Sequence, residues 1–80
     1  MSYYQPDKAL LKAIAQEFKA IRLKNKLTIE ELSDLCGLHE KYIQTIERNH
    51  RNISVSVYVQ IAKALNTSPS KLLEKALQAK

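Results

Sequence analysis

Eighty residues make room for one domain with one modest core, and leave none for a second lobe closing over a cleft. One glycine and two prolines give little material for turns, which favours helices over a β-sandwich; every apolar stretch is interrupted by a charge well short of the roughly twenty residues that span a bilayer. Thirteen Lys and Arg against eight Asp and Glu leave a net charge of +5, which is compatible with a polyanionic partner but does not by itself select one.

The opening stretch from Met1 to Pro6 lacks a basic segment followed by an apolar one, so a cytoplasmic protein is expected, with residues 1–6 as an N-terminal tail and 7–78 as the folded domain. Tyr3 and Tyr4 fit either a loose tail or a patch on the core. From Asp7 to about Lys24, Leu10, Leu11, Ile14, Phe18 and Ile21 recur at steps of three and four with charges between them, the pattern of an amphipathic first helix. Thr28 followed by Glu31 then reads as a capping box, with Leu27 stapled onto Leu32, so a second helix starts at Ile29. It is expected to stop near Cys36, because Gly37 accepts a left-handed backbone without steric cost.

His39 repeats the capping logic less well, and a third helix runs from there to about Glu47 or Arg48. Its apolar face is narrow, formed by Tyr42, Ile43 and Ile46, and Glu40, Lys41, Gln44, Thr45 and Arg48 point outward. The run from Ile53 to Ile61 alternates apolar and polar residues and has the period of a strand. Yet a lone strand has no partner elsewhere in the chain, and Ser54 as N-cap with Val55, Tyr58, Ile61, Ala62 and Leu65 continues at helical spacing, so a fourth helix is expected. Ser68 with Pro69 at the first helical position opens a fifth, whose apolar face is Leu72, Leu73, Ala76 and Leu77.

The expected architecture is all-α, compact and five-helical. Two short helices joined at a glycine describe a helix-turn-helix, the second of which, at about 40–47, is sized for a major groove roughly 12 Å wide. Leu32, Leu38, Ile43 and Ile46 fall where such a motif needs core residues, and Ser33 is small where the helices cross. Cys36 has no partner for an internal disulfide, and no second Cys or paired His stands at metal-ligand spacing, so it reads as a small buried apolar residue. No metal and no cofactor are expected. His39 and His50 sit in polar turns without paired carboxylates or a nucleophile elbow, so no enzymatic step is expected either.

With these residues in view, the chain resembles the lambda-repressor-like, or XRE, regulators over about residues 18–75. Ile21-Arg22, Leu27-Thr28, Glu31-Leu32, Gly37-Leu38, Tyr42-Ile43, Ile46-Glu47-Arg48 and the run from Ile61 to Leu65 carry the resemblance. The tract from Tyr42 to Asn52 is especially similar to controller proteins of restriction-modification systems. The resemblance implies an operator-binding transcriptional regulator in which Glu40, Lys41, Gln44 and Thr45 read base edges, joined by Arg51 from the following loop. Lys can donate to guanine, Gln can pair with adenine, and Glu can accept from cytosine. Glu40 has a second reading, since a carboxylate in the first turn is stabilised by the helix dipole with or without DNA.

The resemblance also implies that Thr28, Tyr42, Arg48, Asn49, His50 and Asn52 meet the sugar-phosphate backbone, Thr28 through its hydroxyl or its amide. Tyr42 fits core packing equally well. Asn49 stands where the family usually has glycine, and Asn tolerates the left-handed conformation, so the recognition helix is expected to end there. Ile29 departs from the family, which commonly has a phosphate-bonding Gln at this position. Arg22 and Glu47 match a pair that forms a partly buried ion pair.

Small regulators of this kind bind inverted repeats of double-stranded DNA as dimers. Val57, Val59, Leu73 and Leu77 exceed what one small core needs, so either they fill that core or helices four and five form a homodimer contact. The competing reading is a protein-binding module such as an antitoxin, with DNA contact secondary.

Overall fold

The computed structural model describes residues 3–79; Met1, Ser2 and Lys80, and with them the first two residues of the expected tail, lie outside the described residues. Among these, the chain forms five α-helices: α1 Lys8–Lys24, α2 Ile29–Cys36, α3 Glu40–Asn49, α4 Val55–Ala64 and α5 Pro69–Ala79. The last helix runs one residue past the expected boundary at 78. Tyr3 and Tyr4 are exposed rather than packed on the core.

Local chemistry fixes where each helix starts. Asp7 accepts the Leu10 amide at 3.0 Å, Ser54 the Val57 amide at 3.1 Å, and Ser68 the Lys71 amide at 3.3 Å. Each cap satisfies one of the donors a helix N-terminus leaves open. The alternating run from Ile53 to Ile61 is helical from Val55 onward, because α4 packs on α2 and α5 and buries Ile61 and Ala62. Its first residue, Val55, was expected on the buried face but is 79% exposed, being in the opening turn that projects past the core.

The helix ends depart further from expectation. Gly37 is left-handed at φ 73°, as expected, but Lys26, His50 and Asn66 adopt positive φ as well. Leu27 N–H bonds the Arg22 carbonyl while Lys26 N–H bonds that of Leu23. Thr67 and Asn66 make the equivalent bonds to Ala62 and Lys63. Both ends are therefore Schellman turns with a non-glycine residue in the left-handed position. At the end of α3, Asn49 is still helical and His50 takes the left-handed conformation at φ 51°, with its N–H bonded to the Ile46 carbonyl at 3.1 Å. The expected end at Glu47 or Arg48, with Asn49 left-handed, is corrected accordingly: the helix runs one or two residues further, through Asn49, because the His50 N–H still closes an i to i−4 bond onto Ile46.

Phe18, Leu32, Ile43, Ile46, Ile61 and Leu65 form the centre of the core, with Ala13, Ile14, Leu72 and Ala76 around them. Cys36 is buried and free. Phe18 packs against Tyr58 with ring centroids 5.6 Å apart, and the Tyr58 hydroxyl donates to the Pro69 carbonyl, tying α4 to the start of α5. Burial pushes the Tyr58 hydroxyl pKa up, partly offset by a backbone hydrogen bond from Leu73. Asn25 Nδ2 donates to the Leu65 carbonyl at 3.0 Å, linking the α1–α2 turn to the end of α4. The result is a frame in which α2 and α3 are held from both sides.

Candidate nucleic-acid interface

A recognition helix reads bases only if its side chains are held still relative to the rest of the protein. Here the brace is Arg22. Its Nε donates to Glu47 Oε2 at 2.8 Å, its Nη2 to Glu47 Oε1 at 3.0 Å, and its Nη1 to the Leu27 carbonyl at 2.8 Å. The two side chains are only 9% and 6% exposed. This bidentate fork locks α1, the α1–α2 turn and the last full turn of α3 into one piece, with the planar geometry that suits Arg and not Lys.

With Ile43 and Ile46 buried against the core, α3 turns its other faces outward. Lys41 and Arg48 are exposed, and Glu40, Gln44 and Thr45 are half-buried along the same side. His39 Nδ1 accepts the Lys41 amide at 3.1 Å, so the histidine serves as the cap and leaves the Glu40 carboxylate without a hydrogen-bond partner among the described residues. The Thr45 hydroxyl donates to the Lys41 carbonyl at 2.9 Å. Its proton is thereby used, which leaves the oxygen as an acceptor and the methyl as an apolar contact.

Thr28 is less available than expected. Its hydroxyl accepts the Glu31 amide at 3.0 Å, and its own amide donates to Glu31 Oε1 at 2.9 Å. The complete capping box removes the Thr28 amide as a phosphate donor and leaves only the hydroxyl proton. In the loop after α3, Arg51 lies over the Tyr42 ring with its guanidinium carbon 5.5 Å from the centroid. This cation–π contact restrains an exposed arginine beside the recognition helix. It also assigns Tyr42 a role the sequence left open: the ring packs on the core edge and supports Arg51.

His50 is half-buried and Asn52 exposed; together they face Pro6, Lys8 and Leu11 across a cleft of about 430 Å³, so the loop rests on the start of α1. The Asn49 side chain lies outside the described residues. Sequence reasoning missed two features. The Tyr42–Arg51 stack joins residues nine apart and has no local signature. Lys19, three residues before Arg22 and so on the same side of α1, lines a cleft of about 190 Å³ with Ile29, Gln44 and Arg48; that helical spacing was the available clue.

On another face, α1, α4 and α5 enclose a shallow apolar groove of about 420 Å³ whose lining includes Leu10, Leu11, Val55, Tyr58 and Leu73. Leu73 is 37% and Leu77 49% exposed, whereas Val57 and Val59 are half-buried, Val57 against the core. Among the described residues no group of three His, Cys, Asp or Glu could hold a metal ion, and no helix is long and apolar enough to cross a membrane.

The five-helix frame, the glycine-turned α2–α3 pair and its braced polar face define a helix-turn-helix regulator. The chain belongs to the helix-turn-helix family, which it matches over residues 18–72, in the lambda-repressor-like branch. It is similar to the control protein C.SmaI of Serratia marcescens, at 43% identity over 60 residues covering 75% of this chain and 71% of that one. It is also similar to the control protein C.BamHI of Bacillus amyloliquefaciens, at 42% identity over 60 residues covering 74% of each. Among solved structures, the restriction-modification controller protein C.Esp1396I, as a tetramer in complex with its natural 35 base-pair operator, shares 33% identity and a TM-score of 0.79. That match covers 88% of this chain and 92% of that one.

Proposed function

We propose that this chain is a controller-type transcriptional regulator that binds an inverted-repeat operator as a homodimer, with α3 in the major groove of each half-site. The observation that carries this reading is the braced polar face of α3: Lys41, Gln44 and Thr45 project from a helix whose far end is fixed by the Arg22–Glu47 fork. Lys41 donates to guanine, Gln44 pairs with adenine, and Thr45 accepts from an exocyclic amine or packs its methyl on thymine. Arg51, steadied on Tyr42, is a further base reader. Glu40 accepts from cytosine while also sitting favourably in the first turn. Thr28 through its hydroxyl, Arg48, His50 and Asn52 hold the sugar-phosphate backbone on either side.

Dimerisation uses the α4–α5 face, where Leu73 and Leu77 are apolar and uncovered. No step of this function makes or breaks a covalent bond. It acts by occupying a promoter, and the chemistry of each half-site contact is hydrogen bonding and charge.

A fluorescence-anisotropy titration of the chain on duplex DNA over a range of salt tests the reading. Counterion release requires log affinity to fall linearly and steeply with log salt. Binding that is flat in salt, alongside salt-resistant capture of a protein partner, contradicts it in favour of a protein-binding module.

A further inference from the structure

The cleft beside Gln44 is a meeting of three helices with an uneven charge. Its floor holds Ile29 and the Arg22–Glu47 pair, and its rims hold Lys19 from α1 and Arg48 from α3. The paired arginine and glutamate bind each other through two hydrogen bonds, so their charges offset. Lys19 and Arg48 are both exposed, and neither side chain has a hydrogen-bond or ion-pair partner among the described residues. Glu31, the acid that closes the N-terminus of α2, is occupied in the capping box. What remains is a polar-rimmed notch with two unpaired cations, and Ile29 offers no side-chain hydrogen bond there.

We propose that this notch is a binding site for one DNA phosphodiester in each half-site, with Lys19 as a positioning residue that clamps the strand from α1 while Arg48 holds it from α3. Gln44 lines the same notch, so a duplex whose base edge meets Gln44 carries its sugar-phosphate strand along the rim where the two cations stand. A flexible ammonium suits this role, since a phosphate needs charge more than a fixed fork. Lys19 therefore sets the register of α3 without reading sequence. This inference rests on the DNA-binding reading above.

The test compares wild type, Lys19→Ala, Lys19→Arg and Lys71→Ala on the operator duplex recovered from a random pool and on a random duplex. Each phosphate contact contributes about 0.9 to the slope of log affinity against log salt. Lys19→Ala is expected to flatten the slope by part of that amount in each protomer, because Arg48 still holds the same phosphate, with the same fold-loss on both duplexes. Lys19→Arg keeps the wild-type slope, and Lys71→Ala, on α5, leaves it unchanged. Methylphosphonate substitution scanned along the operator then finds one position per half-site whose penalty shrinks in Lys19→Ala, with Arg48 still holding that phosphate, which separates a bound backbone phosphate from a free anion. An unchanged slope in Lys19→Ala with wild-type thermal unfolding overturns the phosphate site and leaves the DNA reading standing. Absence of salt-dependent binding in wild type overturns both.

Discussion

The α3 face and the α4–α5 face are both uncovered, but in opposite ways. On α3 the exposed atoms are charged or polar, their hydrogen-bonding capacity is largely unspent, and the backbone beneath them is fixed by a buried fork. On the face of α4 and α5 that borders the apolar groove, Leu73, Leu77 and Val55 are exposed, with caps and the Tyr58–Pro69 hydrogen bond holding the helices in place. A polar surface that is preorganised yet unsatisfied suits a partner rich in acceptors and negative charge. An apolar one suits a second copy of itself. The proposed function gives the two surfaces to two partners, and substitutions can test each half of that proposal separately.

The largest expected effect lies under the polar face. Glu47→Ala leaves Arg22 as a buried cation with only the Leu27 carbonyl as partner, and is expected to cost about 3–5 kcal/mol of stability, although the intact pair adds far less than that in net terms. Chemical denaturation measures it, and a loss under about 1 kcal/mol refutes the burial of the pair. On the apolar face, Leu77→Glu sets like charges against each other across a two-fold contact. The dimer dissociation constant should rise on the order of a hundredfold, about 2.7 kcal/mol, with the monomer still folded. Sedimentation equilibrium reads this, and an unchanged association state removes α5 from the interface.

Lys41→Ala is expected to cost about 1–3 kcal/mol of operator binding and to relax preference at one base pair, with little effect on random DNA. Equal losses on operator and random duplexes demote Lys41 to a phosphate contact. The smallest effect touches neither face. Lys26→Gly removes a side chain from a left-handed turn position and should raise stability by about 0.5–1 kcal/mol in thermal unfolding. Asn66→Gly, at the matching turn of the chain, should gain less because Asn tolerates that conformation. Equal gains at the two sites would show that the turns are not strained in the way their φ values imply.

Helix starts were legible because capping is local: Thr28 with Glu31, Ser54, and Ser68 before Pro69 carry their partners within three residues. The core face of α3 was legible for a similar reason, since Ile43 and Ile46 lie at helical spacing. Helix ends were legible only where Gly37 closes α2. Lys26, His50 and Asn66 take left-handed conformations because the turns must redirect the chain into packed helices; Asn66 is of a type that tolerates this, but nothing in the Lys26 side chain announces it. Of the candidate site, Lys41, Gln44 and Thr45 followed from their position on α3, and the Arg22–Glu47 pair from family resemblance. The spent amide of Thr28 follows from the same capping box, whereas the donor state of Thr45, the stacking of Arg51 on Tyr42 and the position of Lys19 depend on three-dimensional placement.

The central claim is that the two faces cooperate, one reading a half-site and the other fixing the distance between two readers. Selection of bound duplexes from a random DNA pool tests this most directly. The account predicts recovery of an inverted repeat whose half-site centres lie about one helical turn, roughly 10–10.5 base pairs, apart. A recovered pool with no shared sequence, or with a single unrepeated site, contradicts it.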